Sequence, residues 1–405
     1  MSKRLTSATF FSCVLLGVLL VTLSSSTAAQ QVSSPPKLPP ADEVPLPPKK
    51  PKETPSPRGA RQLGTTSLAV SRGRGVQLRV DNRTTGRITL HGWDRDVIEA
   101  RATSERGDEV VIVDKAEDDG PLWVYLKADY ANLNSGEPPT KQLERPPVNS
   151  DGPIQVHLEV NVPRYIEIEL IRVIHSDVEI TGVETAIGIT GSTSSITLKN
   201  VGSVVAQTGA GSIIIEDARG IADLKTSTGR IGIANSRGAV RAFSIAGPVE
   251  IRCVKGRVDV TTIEAAIELK SIDGDVDANA TNSAVRFTGP LSDDARYYMK
   301  SMSGRVEFII PADTRGFNAT LTSYRGAVES DFSLGPRPAR LITRPGAAHA
   351  ARPTIQPGTA APDPNSTKHR LVGRLGKGGP QITLDSFQGV VKLTKVARNS
   401  VEPCK

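Results

Sequence analysis

The chain has 405 residues and a formal charge of +7, two units of which come from Lys3 and Arg4. So mild an excess, spread among 43 acidic residues, with aromatics at 4% and no dense basic run interleaved with them, speaks against a nucleic-acid partner. Three cysteines are too few for a disulfide-framed scaffold.

In chain order, Lys3 and Arg4 precede an apolar run from Phe10 to Leu23 and then small residues up to Ala28 and Ala29. That order reads as a signal peptide over 1–29, cleaved near Ala28 to Gln30. The run has 14 residues where a membrane span needs roughly 20, so an uncleaved anchor is the alternative. Residues 30–62 come next as a Pro-rich spacer, with ten prolines between positions 31 and 58. Strand patterns then appear at GVQLRVDN, GRITLHGW, DVIEARAT and DEVVIVDK, expected as capping strands that cover the first open edge of a solenoid. A polar, Pro-containing stretch from Asn132 to Asp151 predicts a long loop.

The next region is an internal repeat. Gly202, Gly220, Gly238, Gly256 and Gly274 recur every 18 residues, and a second series halfway between runs through Gly211, Gly229, Gly247, Ala265 and Ser283. Counting from the first series, position two is Val204, Ala222, Val240, Val258 and Val276, and position four is Ala206, Leu224, Ala242, Val260 and Ala278. Position eleven is Ile213, Ile231, Val249, Ile267 and Val285, and position thirteen is Ile215, Ile233, Ile251, Leu269 and Phe287. Apolar residues two apart, separated by polar or small ones, make a strand with one face in a core. A helix would send such pairs to different sides, and propeller blades need about 40 residues. Each unit is therefore one coil of a β-helix, with two short strands and turns at the two glycine series. One coil buries four apolar side chains at about 1.5–3 kcal/mol each. Ordering each of its residues costs about 1–2 kcal/mol, so coils fold only by stacking.

The same alternation precedes the repeat at Ile166, Ile168 and Leu170 and continues after it at Val306, Phe308 and Ile310. The expectation is an all-β, single-stranded β-helix (solenoid) over 63–334 with N-terminal capping strands. A Pro/Gly-rich disordered insertion is expected over 335–380, terminal β-helix strands over 381–396 and a tail over 397–405.

With GRITLHGWDRDVIEARAT, SMSGRVEFIIPADTRGFNATLTSYRGAVESDF and ITLDSFQGVVKL in view, the chain resembles the DUF4097 family of adhesin-type, head-domain-like β-helix proteins over roughly 74–396. The resemblance implies a β-helix, exported or membrane-linked in bacteria, without an accepted enzymatic activity or ligand set. The Pro-rich stretch between Leu334 and Thr383 departs from that pattern.

Little of the chain reads as chemistry. His91, His157, His175, His349 and His369 lack zinc-motif spacing. Asp273, Asp275 and Asp277 surround Gly274, and calcium is the hard cation such carboxylates would take, an ordinary solvated edge being the simpler reading. Asp259, one coil before Asp277, gives the stacked carboxylate pair that a glycosidase would need. Arg219, Arg237 and Lys255 recur just before first-series glycines and form a short positive ridge, a candidate contact for acidic glycans or headgroups as well as a solubilising corner. Thr208, Thr226, Ser244 and Thr262 form a hydroxyl ladder beside a turn. For Cys253 an unpaired buried thiol is expected, although export would permit a disulfide with Cys404.

The function expected is a non-enzymatic exported envelope protein, periplasmic, cell-surface or secreted, that presents a rigid surface for adhesion, binding or structural interaction. A carbohydrate-active β-helix hydrolase or lyase is the alternative. No cofactor is expected. The expected partner is an envelope protein or an anionic glycan, and peripheral membrane association is compatible with it.

Overall fold

In the computed structural model, residues 61–63, 65–70, 76–104, 110–113, 123–130, 155–336, 369–400 and 404 are described. The signal peptide, nearly all of the spacer, the 132–151 loop and most of the insertion lie outside them. Among the described residues are 27 strands and no α-helix.

The 18-residue step becomes a parallel register. Val204 pairs with Ala222, Ala222 with Val240, Val240 with Val258 and Val258 with Val276. On the other ladder Ile213 pairs with Ile231, and the line continues through Val249, Ile267 and Val285. All four predicted apolar columns are buried in one core. The chain is thus a β-helix, each coil contributing one strand to each ladder. Toward the C-terminal end larger side chains fill the interior: Phe287 stacks on Phe308 at 4.5 Å between centroids, and Tyr297 meets both edge-on. The Tyr297 hydroxyl accepts a hydrogen bond from the Ser292 N–H at 2.9 Å, and burial pushes its pKa above the usual phenol value.

The turn joining the two strands of a coil rests on a short motif, Ser/Thr-x-x-Gly. The Ser244 hydroxyl accepts from the Gly247 N–H at 2.9 Å, and Thr226, Ser301, Ser323 and Ser386 receive Gly229, Gly304, Gly326 and Gly389 in the same way. Several of these hydroxyls also donate to the turn of the preceding coil, as Ser301 does to the Ser283 carbonyl at 2.8 Å and Ser386 to that of Gly304 at 3.0 Å. The glycine is required by close approach: a Cβ on Gly229 would lie 1.6 Å from the Gly211 carbonyl oxygen, and one on Gly247 1.7 Å from that of Gly229.

The coil also has an elbow that the two-strand reading lacks. Asn200, Asp217, Asn235, Cys253 and Ser271 stack in the left-handed region with φ between 52° and 59°, where Asn and Asp are better tolerated than other L-residues. Each stands outside the ladder register and is followed by a buried residue: Val201, Ala218, Ser236, Val254 or Ile272.

At both ends, chain order and stacking order part. The strand Gln77–Trp93 is an entire coil rather than a cap. It lies between the coil Glu167–Thr181 on one side and the strands Trp123–Tyr130 and Val156–Pro163 on the other. Capping falls to antiparallel strands, Val97–Ser104 under Thr65–Ala69 and Val110–Val113 under Arg61–Leu63, so the spacer ends earlier than position 62. At the other end Gln381–Ser386 and Val391–Val396, last in the chain, insert between the coil of Arg296–Ser301 and Val306–Pro311 and the coil of Phe317–Ser323 and Val328–Ser330. They are therefore not the terminal strands. The strand His369–Leu375, inside the stretch assigned to the insertion, closes the edge by pairing antiparallel with Phe317–Ser323. The intercalation places Lys392 between Glu307 and Glu329, so two carboxylates that would stack in chain order are separated by a cation, 3.7 Å from Glu329.

Gly229→Ala is expected to lower stability by about 1–3 kcal/mol through forced displacement of stacked backbones. Gly335→Ala, whose Cβ would meet nothing nearer than 3.8 Å, should leave the urea midpoint unchanged.

Candidate functional site

The elbow column forms the floor of a groove of about 1180 Å³ along one corner of the β-helix. Because the backbone turns left-handed at one residue per coil, the residue two positions later projects beside the groove at four of the five levels. These residues are Arg219, Arg237, Lys255 and Asp273. The predicted positive ridge is therefore one wall of the groove, with a rung spacing of about 4.8 Å. The opposite wall comes from the segments 290–293 and 311–316 and from Arg398, Asn399 and Cys404.

The ridge is unevenly neutralised. Arg219 Nη1 lies 2.9 Å from Glu184 Oε1, whereas Arg237 and Lys255 make no ion pair among the described residues. Asp273 ends the ridge and accepts a hydrogen bond from the Ser292 hydroxyl at 2.8 Å. Across the groove Arg398 is paired with Asp313 at 2.9 Å. Arg237 and Lys255 thus occupy the two middle rungs of the ridge without an ion pair among the described residues, Lys255 standing next to Asp273 in the ladder register.

Cys253 is neither unpaired nor fully buried. It is bonded to Cys404, 151 residues away, with Cα atoms 5.4 Å apart, and so pins the end of the chain to the elbow column. Its place explains both departures. The elbow points its side chain toward the groove, and the other members of its column are Asn, Asp and Ser, so what Cys supplies there is a bond rather than backbone compatibility.

The carboxylates around Gly274 do not converge. Asp273 turns to Ser292, Asp275 accepts the Arg296 N–H at 2.9 Å, and Asp277 accepts from Asn279 at 2.7 Å. Asp259 and Asp277 are adjacent-rung partners, as their spacing predicted, but Arg257 makes hydrogen bonds to both oxygens of Asp259. Those bonds hold the guanidinium in its charged form, its pKa raised further by the nearby Asp277 and Asp275. Both aspartates stand on the outer face of a ladder, outside the groove. Among the described residues no three His, Cys, Asp or Glu side chains gather as a metal set would require; His349 lies outside them. The wall formed by the C-terminal tail escaped sequence reasoning, and its one trace was Cys404 near the end of the chain.

No family model matches the chain, and no curated protein matches it. A solved structure from Clostridium sporogenes described as a "putative cell adhesion protein" is similar over 83% of this chain and 100% of that chain, at 9% identity and a TM-score of 0.18. A likeness at that level carries no argument, and the DUF4097 resemblance rests on the sequence phrases that carry it.

Removing the disulfide by Cys253→Ser with Cys404→Ser is expected to cost about 2–5 kcal/mol, the usual range for closing a long loop. The check is denaturant unfolding of the double variant beside the oxidised chain.

Proposed function

We propose that this chain is a non-enzymatic, exported envelope protein of the DUF4097 type. Its work is to hold an extended anionic glycan along the elbow groove of a rigid β-helix. The observation that carries this reading is the arrival of Arg237 and Lys255, free of ion pairs among the described residues, on neighbouring rungs of one concave wall. An acidic polysaccharide repeats its carboxylates or sulfates along an extended chain, and cations repeated at rung spacing meet such a chain without ordering long loops. Rigidity favours binding, because a preorganised surface loses little entropy on complex formation. Export is supported by the charged, apolar and small-residue order of positions 1–29.

The competing reading, a hydrolase or lyase acting through Asp259 and Asp277, has its carboxylates on a ladder face and engaged by Arg257 and Asn279. The two readings separate in one assay. Calorimetry with polyuronate or sulfated oligosaccharides should show binding that weakens as salt rises. Arg237→Ala with Lys255→Ala should weaken it about tenfold, or roughly 1.4 kcal/mol, with the polymer left intact. Absence of binding, indifference to the double substitution, or chain cleavage lost on changing Asp259 would each overturn the proposal.

A further inference from the structure

The corner at the other end of the strand that leads into the elbow carries a feature the groove does not use. In the Ser/Thr-x-x-Gly turns the residue after the hydroxyl points outward, and Ile263 in Thr262-x-x-Ala265 and Thr281 in Ala280-x-x-Ser283 hold the same place. In stacking order this column reads Ser227, Ile245, Ile263, Thr281, Met302, Phe387 and Tyr324. Backbone bonds tie the levels together: Ile263 N–H donates to the Ser244 carbonyl, Phe387 to that of Ser301 and Tyr324 to that of Ser386. The five apolar members are 37–53% exposed. From Ile245 to Tyr324 they span five rung steps, about 24 Å. Ser227 and Thr281 fill the same position, so the turn itself does not demand an apolar residue. Tyr324 and Phe387 stand 5.7 Å apart, and the Arg325 guanidinium lies 5.4 Å from the Phe387 ring centre.

We infer that this ridge is a membrane-contact edge, which dips its apolar side chains into the interface of a bilayer carrying anionic lipids. Two observations select that occupant. The ridge is convex and, apart from Phe243 beside Ile245, one residue wide, so it cannot supply the roughly 800 Å² per partner that a stable protein interface buries. A deformable lipid interface accepts single apolar side chains one by one, and aromatic residues concentrate there. The flanks are also basic: Lys225, Lys300, Arg305 and Arg325 are exposed and make no ion pair among the described residues, against Glu264 and Asp385 at the neighbouring positions. Such cations add to binding near an anionic leaflet. The inference is independent of the glycan groove, which lies on another corner.

The test places an indole on the ridge of the full chain, as Phe387→Trp, and compares it with Arg252→Trp on an exposed ladder face. Vesicles of phosphatidylcholine with phosphatidylglycerol should shift the ridge indole to the blue, and brominated lipid should quench it. The ladder-face indole should do neither. Because the readout is local, binding through the N-terminal apolar run does not imitate it. Lys300→Glu with Arg305→Glu, which lie outside the Ser301–Gly304 turn, should weaken the ridge signal about tenfold, and Ile263→Asp with Met302→Asp should abolish it. Equal quenching at both sites, an unchanged ridge indole, or indifference to anionic lipid would overturn the inference. So would self-association that disappears with Ile263→Asp and Met302→Asp while the ridge indole ignores vesicles.

Discussion

Everything in this molecule depends on how closely one coil's turn lies on the next. At the Ser/Thr-x-x-Gly corner a buried hydroxyl accepts the N–H of its own turn, and several of these hydroxyls donate to the carbonyl one level down. The glycine leaves no room for a Cβ above that carbonyl. A buried hydroxyl without partners would be costly; satisfied in both directions, it links levels that cannot fold singly. The apolar columns supply the driving force, and the corner supplies the register.

That register has consequences at the two open ends. A stack of parallel strands ends in unpaired edges that invite further pairing. In this protein antiparallel strands cover them, and the coil next to each end is threaded out of chain order. Residues far apart in sequence thus become neighbours on the ladder, as Lys392 does between Glu307 and Glu329. Elsewhere on the same face, burial disfavours the Lys270 ammonium, yet Glu268 and Glu250 outweigh it and hold its pKa above the ordinary lysine value. Such pairs contribute little individually at an exposed surface, but alternating signs avoid the repulsion of stacked like charges.

The corners are where the coil departs from a flat ladder, and the groove and the apolar ridge are both corner features. The elbow makes a concave line because its left-handed residue bends the strand, and the disulfide to Cys404 brings the chain end across it. The hydroxyl turn makes a convex line because its second residue has nowhere to go but outward. One repeat therefore generates both a concave groove lined by basic residues and a convex ridge of exposed apolar side chains.

Much of this was legible in the linear chain. The glycine step, the four apolar columns and the hydroxyl column are periodic, and periodicity survives there because each level repeats the same physical demands. The positive ridge was legible for the same reason. The elbow was hidden, because Asn, Asp, Cys and Ser share a backbone conformation rather than a hydropathy. The out-of-order threading was hidden too: every coil obeys one grammar, so nothing in Gly389, Val391 and Leu393 says which level they occupy. Sequence determined that coils of this kind must stack on a shared apolar interior. Tertiary structure alone decided which coil stacks on which, and thereby which charges meet and where the chain end is tied, because those choices rest on contacts between residues tens of positions apart.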